Sequence, residues 1–411
     1  MKHICIVSGD HLWLNPRVVK EADALSAAGF QVTVIGPTLT EFDQARDETI
    51  LATRSWRRIA APNLLAPDQR GPKRFLTRLS RRAQMIAVRR LGLQLPGALG
   101  YGVGETITAA ERVTADIYSC HLEVGMLAFR RLSRLGRRCV VDLEDWHSRD
   151  LGAAAQRERP NRLIVGLERQ VLNQAEFTTT TSGALADALV AAYGGSRPLV
   201  VFNAFEKSGD VRPAVFADRR SVERPSLHWY SLNVGRGRGL ELLFDAVNRL
   251  DLDFELHIRG EGPQSYKDEL LARLKLENAG RVFFHATTDP AVLPLRIAEH
   301  DIGFAMELRT PPSRDLTITN KVFQFLQCGC AVIASRTSGQ EEAAALFPEA
   351  IFLSEPEPAA LAATLSQLIR TPGALTAARA AARKAGDGAA SWEEASRVLV
   401  RRYIEAVGAP G

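Results

Sequence analysis

The chain has 411 residues, with 52 Lys and Arg against 47 Asp and Glu, which suits two or three ordinary domains with a mild basic excess. Its five cysteines, Cys5, Cys120, Cys139, Cys328 and Cys330, form no CxxC pair, which argues against a disulfide framework or a two-armed zinc site and for reduced, buried thiols of a cytosolic protein. No window approaches the ~18–20 apolar residues of a membrane span, and the opening MKHICIVSGDH has too short an apolar run for a signal peptide.

From the N-terminus, HICIVSG reads as a buried strand, NPRVVKEADALSAAG as a helix with Pro16 near its start and Gly29 at its end, and FQVTVIG as the next strand. The first strand–helix loop carries Ser8, Gly9, Asp10 and His11, which are expected to meet a ligand at the rim of the sheet. Then comes Gln69 to Gly92, with eight Lys or Arg and no acid. As a helix it puts Arg74, Arg78, Arg81, Arg82 and Arg89 on one face and Phe75, Leu76, Leu79, Ala83 and Ile86 on the opposite one. That pattern suits an anionic membrane surface or a lipid-pyrophosphate ligand; the competing reading is a solvated basic face packed on the domain. Nucleic acid is not expected, since no aromatic residues interleave the charges.

The segments ADIYSC, HLEVGMLAFRRLSRLG and RCVVDLED continue the alternation, and ERQVLNQA, EFTTTTS, GALADALVAAYG and PLVVFNA close the first half. This rhythm predicts a parallel sheet covered by helices. Cys120 to Glu123 and Asp142 to Asp150 follow strands, so Asp145 and His147 are candidates to orient a substrate hydroxyl, against the plainer reading of acidic helix caps.

Charge and two prolines in EKSGDVRPAVFADRRSVERPS mark a connector. The rhythm then restarts. The expected domains are 1–204 and 227–388, joined by 205–226, with a C-terminal helix in 389–411 packing back toward the first domain. The predicted fold class is α/β, two Rossmann-like doubly wound domains facing each other across a cleft at the carboxyl ends of their strands.

The strongest chemical signal is NVGRGRGLELL. Gly235, Gly237 and Gly239 permit tight turning, Arg236 and Arg238 offer forked donors, and the helix start favours a phosphate. It is neither a Walker loop nor a dinucleotide fingerprint. Gly260 and Gly262 form a weaker second loop in RGEGP. In DLTITNKVFQFLQCGCAVIAS, Lys321 stands in the first turn of a helix, after Thr319 and Asn320, with Gln324 one turn on. No convincing metal cluster is legible.

In order and spacing, NPRVVKEADALSAAGFQVTVIG, TTTTSGALADALVAAYG, VGRGRGLELLFDAV, LHIRGEGP, DIGFAM and TNKVFQFLQCGCAVIAS resemble the retaining glycosyltransferases of the two-Rossmann GT-B fold, a family rich in bacterial polysaccharide sugar transferases. The resemblance implies a nucleotide-sugar donor held by the second domain at Gly235, Arg236, Gly237, Gly239, Gly260, Gly262, Thr319, Asn320 and Gln324, with Gly9 contributing from the first. It implies a glycan or lipid-linked acceptor on the first domain and no metal or other cofactor, and the catalytic candidates are Arg238 and Lys321 with Asp145 and His147. The expected location is the cytoplasm, peripheral to the membrane through residues 70–90. Family members carry two glutamates where this chain has Leu316 and Gln324. Glu307 and Arg309, in a loop expected to be mobile, are the substitutes on offer. Two other readings stay open: a nucleotide-sugar epimerase of the same architecture, and a sugar-nucleotide-binding protein without catalysis.

Overall fold

The computed structural model describes residues 1–66, 71–207 and 216–410. The chain divides into two compact units, Met1–Val201 with Ser396–Gly411, and Phe202–Ala395. Among the described residues no helix is long and apolar enough to cross a membrane, and all five cysteines are buried and unpaired.

The first unit is built on seven strands: β1 (His3–Val7), β2 (Gln31–Thr38), β3 (Arg57–Asn63), β4 (Ile117–His121), β5 (Cys139–Leu143), β6 (Phe177–Thr180) and β7 (Leu199–Val200). Their order is β3-β2-β1-β4-β5-β6-β7, every neighbour parallel. Strand order reverses between β1 and β4, which places ligand sites at the carboxyl ends beside that switch. The Pro16–Ala27 helix starts where the sequence predicts, with Pro16 in its first turn and the Asn15 side chain accepting from the Val18 N–H.

That helix buries two charges. Arg17 grips Asp142 with Nε and Nη2 at 2.7 and 2.8 Å. Glu21 accepts from Ser119 Oγ at 2.7 Å and Tyr403 Oη at 2.6 Å, and lies 2.9 Å from His121 Nε2. Tyr403 belongs to the Trp392–Val407 helix, so the end of the chain is stitched to β4 and β5 through one buried polar network.

The Pro72–Leu91 helix forms as predicted, covered along one edge of its basic face rather than on its apolar face. Arg74 and Arg81 are half-buried and Val88 is buried on the covered side, where Gln84 Oε1 accepts from the Gly97 N–H. Phe75 is 64% exposed, and Leu76, Leu79 and Ile86 are exposed with it. The long arginine stems do the packing here, while the apolar row faces outward. Gln69 and Arg70 of the basic segment lie outside the described residues.

The second unit has six strands, β8 (Ser226–Asn233), β9 (Glu255–Glu261), β10 (Val282–His285), β11 (Ile302–Ala305), β12 (Ala331–Ser335) and β13 (Ile351–Ser354), in the order β10-β9-β8-β11-β12-β13 and all parallel. Alternate residues serve opposite faces. Leu227, Trp229, Leu256, Ile258, Phe304 and Ile333 enter one core, and Ala305, Val332 and Ala334 the other. Of the expected connector, 208–215 lies outside the described residues, and the part that follows is bound into this unit. Asp218 pairs with Arg259, and Arg219 with Asp301 at 2.9 Å.

The same sheet buries a stack of four histidines. His228 and His300 rings lie 4.2 Å apart, His257 and His300 4.7 Å, and His257 and His285 5.2 Å. Nothing in the sequence announces this cluster, because its members stand on three strands and a loop.

Candidate functional site

In the second unit the predicted elements meet at the carboxyl ends of β8, β9, β11 and β12. After β8 the chain turns through Gly237 and Gly239 with φ of 73° and 76°, and the Leu240–Val247 helix begins. These left-handed values are where glycine is needed. A Cβ on Gly239 would stand 3.1 Å from Met306 Cβ, so the GRGRG loop ends against the residue that follows β11. Next to Met306, Glu307 exchanges hydrogen bonds with Ser335: its N–H donates to Oγ and its carbonyl accepts from Oγ, both at 2.8 Å.

Glu307 Oε1 receives Lys321 Nζ at 3.2 Å. The lysine side chain is 14% exposed and lies 5.6 Å from the centre of the Trp229 ring. It projects from the first turn of the Asn320–Gln327 helix, beside the half-buried Thr319 and the exposed Asn320. A cation, a helix N-terminus and a glycine turn are thus linked through Met306 and Glu307, the ingredients of an anion site.

Several predicted residues have other work. Arg236 is exposed and pairs with Glu269, so of the two arginines Arg238 is the one without an ion pair among the described residues. Gly260 and Gly262 serve packing: a Cβ on either would fall 2.3 Å from the backbone oxygen of Ser231 or Val234. Gln324 is buried, and its Oε1 accepts from Tyr230 Oη at 2.5 Å, so the glutamine's acceptor is used inside the protein. Leu316 is half-buried at the end of a short helix, Pro312–Leu316, whose Asp315 accepts from Ser338 Oγ at 2.8 Å. The donor loop thus contains one short helix, tied through Asp315 to Ser338. Glu307 is brought to Lys321, while Arg309 stays exposed.

In the first unit the loop after β1 is less open than predicted. His11 is buried, with Nδ1 3.1 Å from Asp47 and Nε2 3.4 Å from Asp43. Ser8 is buried, and Gly9 lets the loop pass Val124, whose Cβ would be 2.8 Å from an added Cβ; Asp10 alone is exposed. Beyond β5, Asp145 is exposed whereas His147 is buried in a 3-10 turn, His147–Arg149. His147 Nδ1 lies 3.8 Å from Glu123, in a group with Asp150 that has metal-ligand character by residue type. Arg159 bridges Glu123 and Asp150, so a guanidinium already supplies the cation there.

Residues 230–371 match the family described as Glycosyl transferases group 1. The match covers most of the second unit, including Gly235 to Gly239, Glu307 and Lys321. Over the whole chain the fold is that of GT-B glycosyltransferases, two parallel-sheet Rossmann-like units. Sucrose-phosphate synthase from Thermosynechococcus elongatus superposes with a TM-score of 0.69 at 16% identity, over 98% of this chain and 99% of that one. HepE of Anabaena in complex with UDP gives 0.66 at 15% identity, over 98% and 100%. A putative UDP-N-acetylglucosamine 2-epimerase from Listeria monocytogenes gives 0.55 at 13% identity, over 98% and 96%. No curated protein matches the sequence.

Outside the group 1 domain, sequence reasoning missed one carboxyl. Glu144, half-buried just past β5, is pushed up to about 7 by burial and then by the like charges of Asp142 and Asp145. Burial beside like charges makes it a candidate acid or base. Its signal lies in the run of acids Asp142, Glu144 and Asp145, which the sequence shows but does not rank.

Proposed function

We propose that this chain transfers a sugar, with retention, from a nucleotide-sugar donor held by the group 1 domain to a glycan or lipid-linked acceptor held by the first unit, in bacterial surface polysaccharide synthesis. The observation that carries the reading is Lys321 in the first turn of its helix, aligned with Glu307 and the Gly239 turn at the carboxyl ends of the strands. As the donor bond breaks, charge grows on the departing diphosphate, and a fixed cation and helix N-terminus stabilise it. Glu307 stands beside the lysine as the acidic group nearest the role of the absent family glutamates. HepE, whose complexes contain UDP and UDP-glucose, supports a uridine donor as the first to try.

The expected result is that UDP binds the full chain in calorimetry with the same affinity with and without chelator. Binding that vanishes with chelator and returns with Mg²⁺ would refute metal independence. Incubation with UDP-glucose and UDP-N-acetylglucosamine then separates the readings. Hydrolysis or transfer supports the transferase. An epimer supports the second reading, with which the Listeria protein shares its fold. Tight binding without turnover supports the third.

The outward apolar row of the Pro72–Leu91 helix, flanked by Arg78, Arg82 and Arg89, supports a peripheral membrane contact. Phe75→Ser with Leu79→Ser is expected to reduce co-sedimentation with phosphatidylglycerol vesicles severalfold, and salt should weaken binding of the unaltered protein. Equal sedimentation of variant and parent at low salt would remove this helix from the membrane.

A further inference from the structure

The covered side of the Pro72–Leu91 helix closes a cavity of about 430 Å³ lying wholly in the first unit, within the size range of ligand sites. Arg78, Arg81 and Arg82 line it from the helix, facing Thr40, Asp43 and Tyr101. Arg81 is half-buried, its guanidinium 4.0 Å from the centre of the Tyr101 ring, with Nε shielded from solvent and lacking a hydrogen-bond partner. None of the three arginines forms an ion pair among the described residues. The lining carboxylate, Asp43, is already engaged: it accepts from Trp13 Nε1 at 3.1 Å and Thr40 Oγ1 at 2.6 Å and lies near His11.

Three guanidinium groups at i, i+3 and i+4 repel one another, and a partly enclosed wall strengthens that repulsion. An anion relieves it, and phosphate matches the guanidinium fork. The place is also right for a ligand. Thr40 follows β2, the lining Leu64 follows β3, and Arg81 acts electrostatically on Asp10, which follows β1. Open α/β sheets bind ligands at this end.

We propose that this cavity is an anion subsite taking the phosphate or pyrophosphate of a phosphorylated acceptor, with Arg78, Arg81 and Arg82 as its donors. The word acceptor rests on the transferase reading; the anion site does not. A lipid-linked pyrophosphate and a soluble phosphate ester share this chemistry, and the exposed Leu76 and Leu79 on the same helix would add contacts only for the first.

The test uses the full chain with saturating UDP, so that the donor site is filled, and calorimetry with inorganic pyrophosphate and with farnesyl pyrophosphate. Both probes are expected to bind. Arg78→Gln with Arg82→Gln should weaken both about tenfold or more, from the loss of charged hydrogen bonds, and Arg81→Gln should do the same. Arg78 and Arg82 are exposed, so the double variant should keep its melting temperature and decides the matter if Arg81→Gln does not fold. Tighter binding of the farnesyl probe, lost in Leu79→Ser, identifies a lipid-linked source; equal binding of the two probes identifies a soluble one. The Arg238→Gln, Lys321→Gln variant repeats the test without a functional donor site. Pyrophosphate binding that UDP abolishes, or that the arginine variants leave unchanged, overturns the proposal. Pyrophosphate binding without any turnover of sugar nucleotides keeps the anion site and sinks the transferase reading alone.

Discussion

Lys321→Ala is expected to raise the barrier for sugar-nucleotide turnover by about 2–4 kcal/mol, by analogy with the loss of one donor from an oxyanion hole. Its loss should fall on kcat more than on KM, because the charge it meets grows as the diphosphate departs. The ammonium is held by Glu307 at 3.2 Å. A purely structural ion pair would explain that contact equally well, so the prediction needs a second readout. Removing the lysine leaves Glu307 half-buried without this partner, and the melting temperature should fall. Adding Glu307→Gln to Lys321→Ala should restore much of the melting temperature but none of the turnover. Full kcat in Lys321→Ala, with only the melting temperature lowered, would reduce the lysine to a prop for Glu307. Gln324→Ala is the control from the same helix. Its acceptor holds Tyr230 Oη, so the change should cost about 0.5–1.5 kcal/mol of stability and leave kcat near its starting value.

The contrast between these two residues shows what the sequence can and cannot carry. Lys321 was legible because helix position and charge are local properties. The hydrogen bond that Gln324 accepts was not legible, because its partner, Tyr230, stands 94 residues away and no periodicity links them. The strands were legible for the same local reason: HICIV and AVIAS are short, buried and followed by turns. In the Pro72–Leu91 helix, spacing correctly separated arginines from apolar residues. It did not reveal which face is covered, since that depends on Gly97 and Tyr101 arriving beneath the helix. Gly260 and Gly262 were recognised as glycines with a purpose, but the purpose is close passage of β8 and β9, which only the register discloses. The histidine stack is the extreme case. His228 pairs with His257 across two strands, and neither has a motif around it.

Asp142→Ala should destabilise the first unit by about 3–5 kcal/mol, the usual consequence of stranding a buried charge, and lower its melting transition by about 6–20 °C. Arg17 would lose both of its bonds to the carboxylate. The same network sets a pH profile. Burial pushes the Asp142 carboxyl up, but Arg17 and His121 outweigh it and hold it far below the usual carboxylate range. Burial likewise opposes Glu21, yet His121 and Tyr403 keep it lowered. Both contributions are present above the unfolded value of about 4 and fade as pH falls below it. His121 runs the other way. Burial lowers it, Glu21 and Asp142 outweigh that, and it rises to about 10. Its contribution is complete below about 6.5 and is lost as pH climbs toward 10. The contribution of this network should therefore be greatest between roughly pH 5 and 6.5. The second unit has the opposite slope there. Burial lowers His257 to about 4 and holds His228 and His300 well below the ordinary value. The unfolded chain takes up protons below about pH 6.5 that the folded stack refuses, so stability falls as pH drops toward 4. Hydrogen exchange at pH 7.5 and 5.5, corrected for intrinsic rates, should show β8 and β9 losing protection on acidification while β4 and β5 gain it. In Asp142→Ala, β4 and β5 should lose protection at both pH values. Parallel changes in the two units on acidification would mean that neither buried network governs the stability of its own sheet.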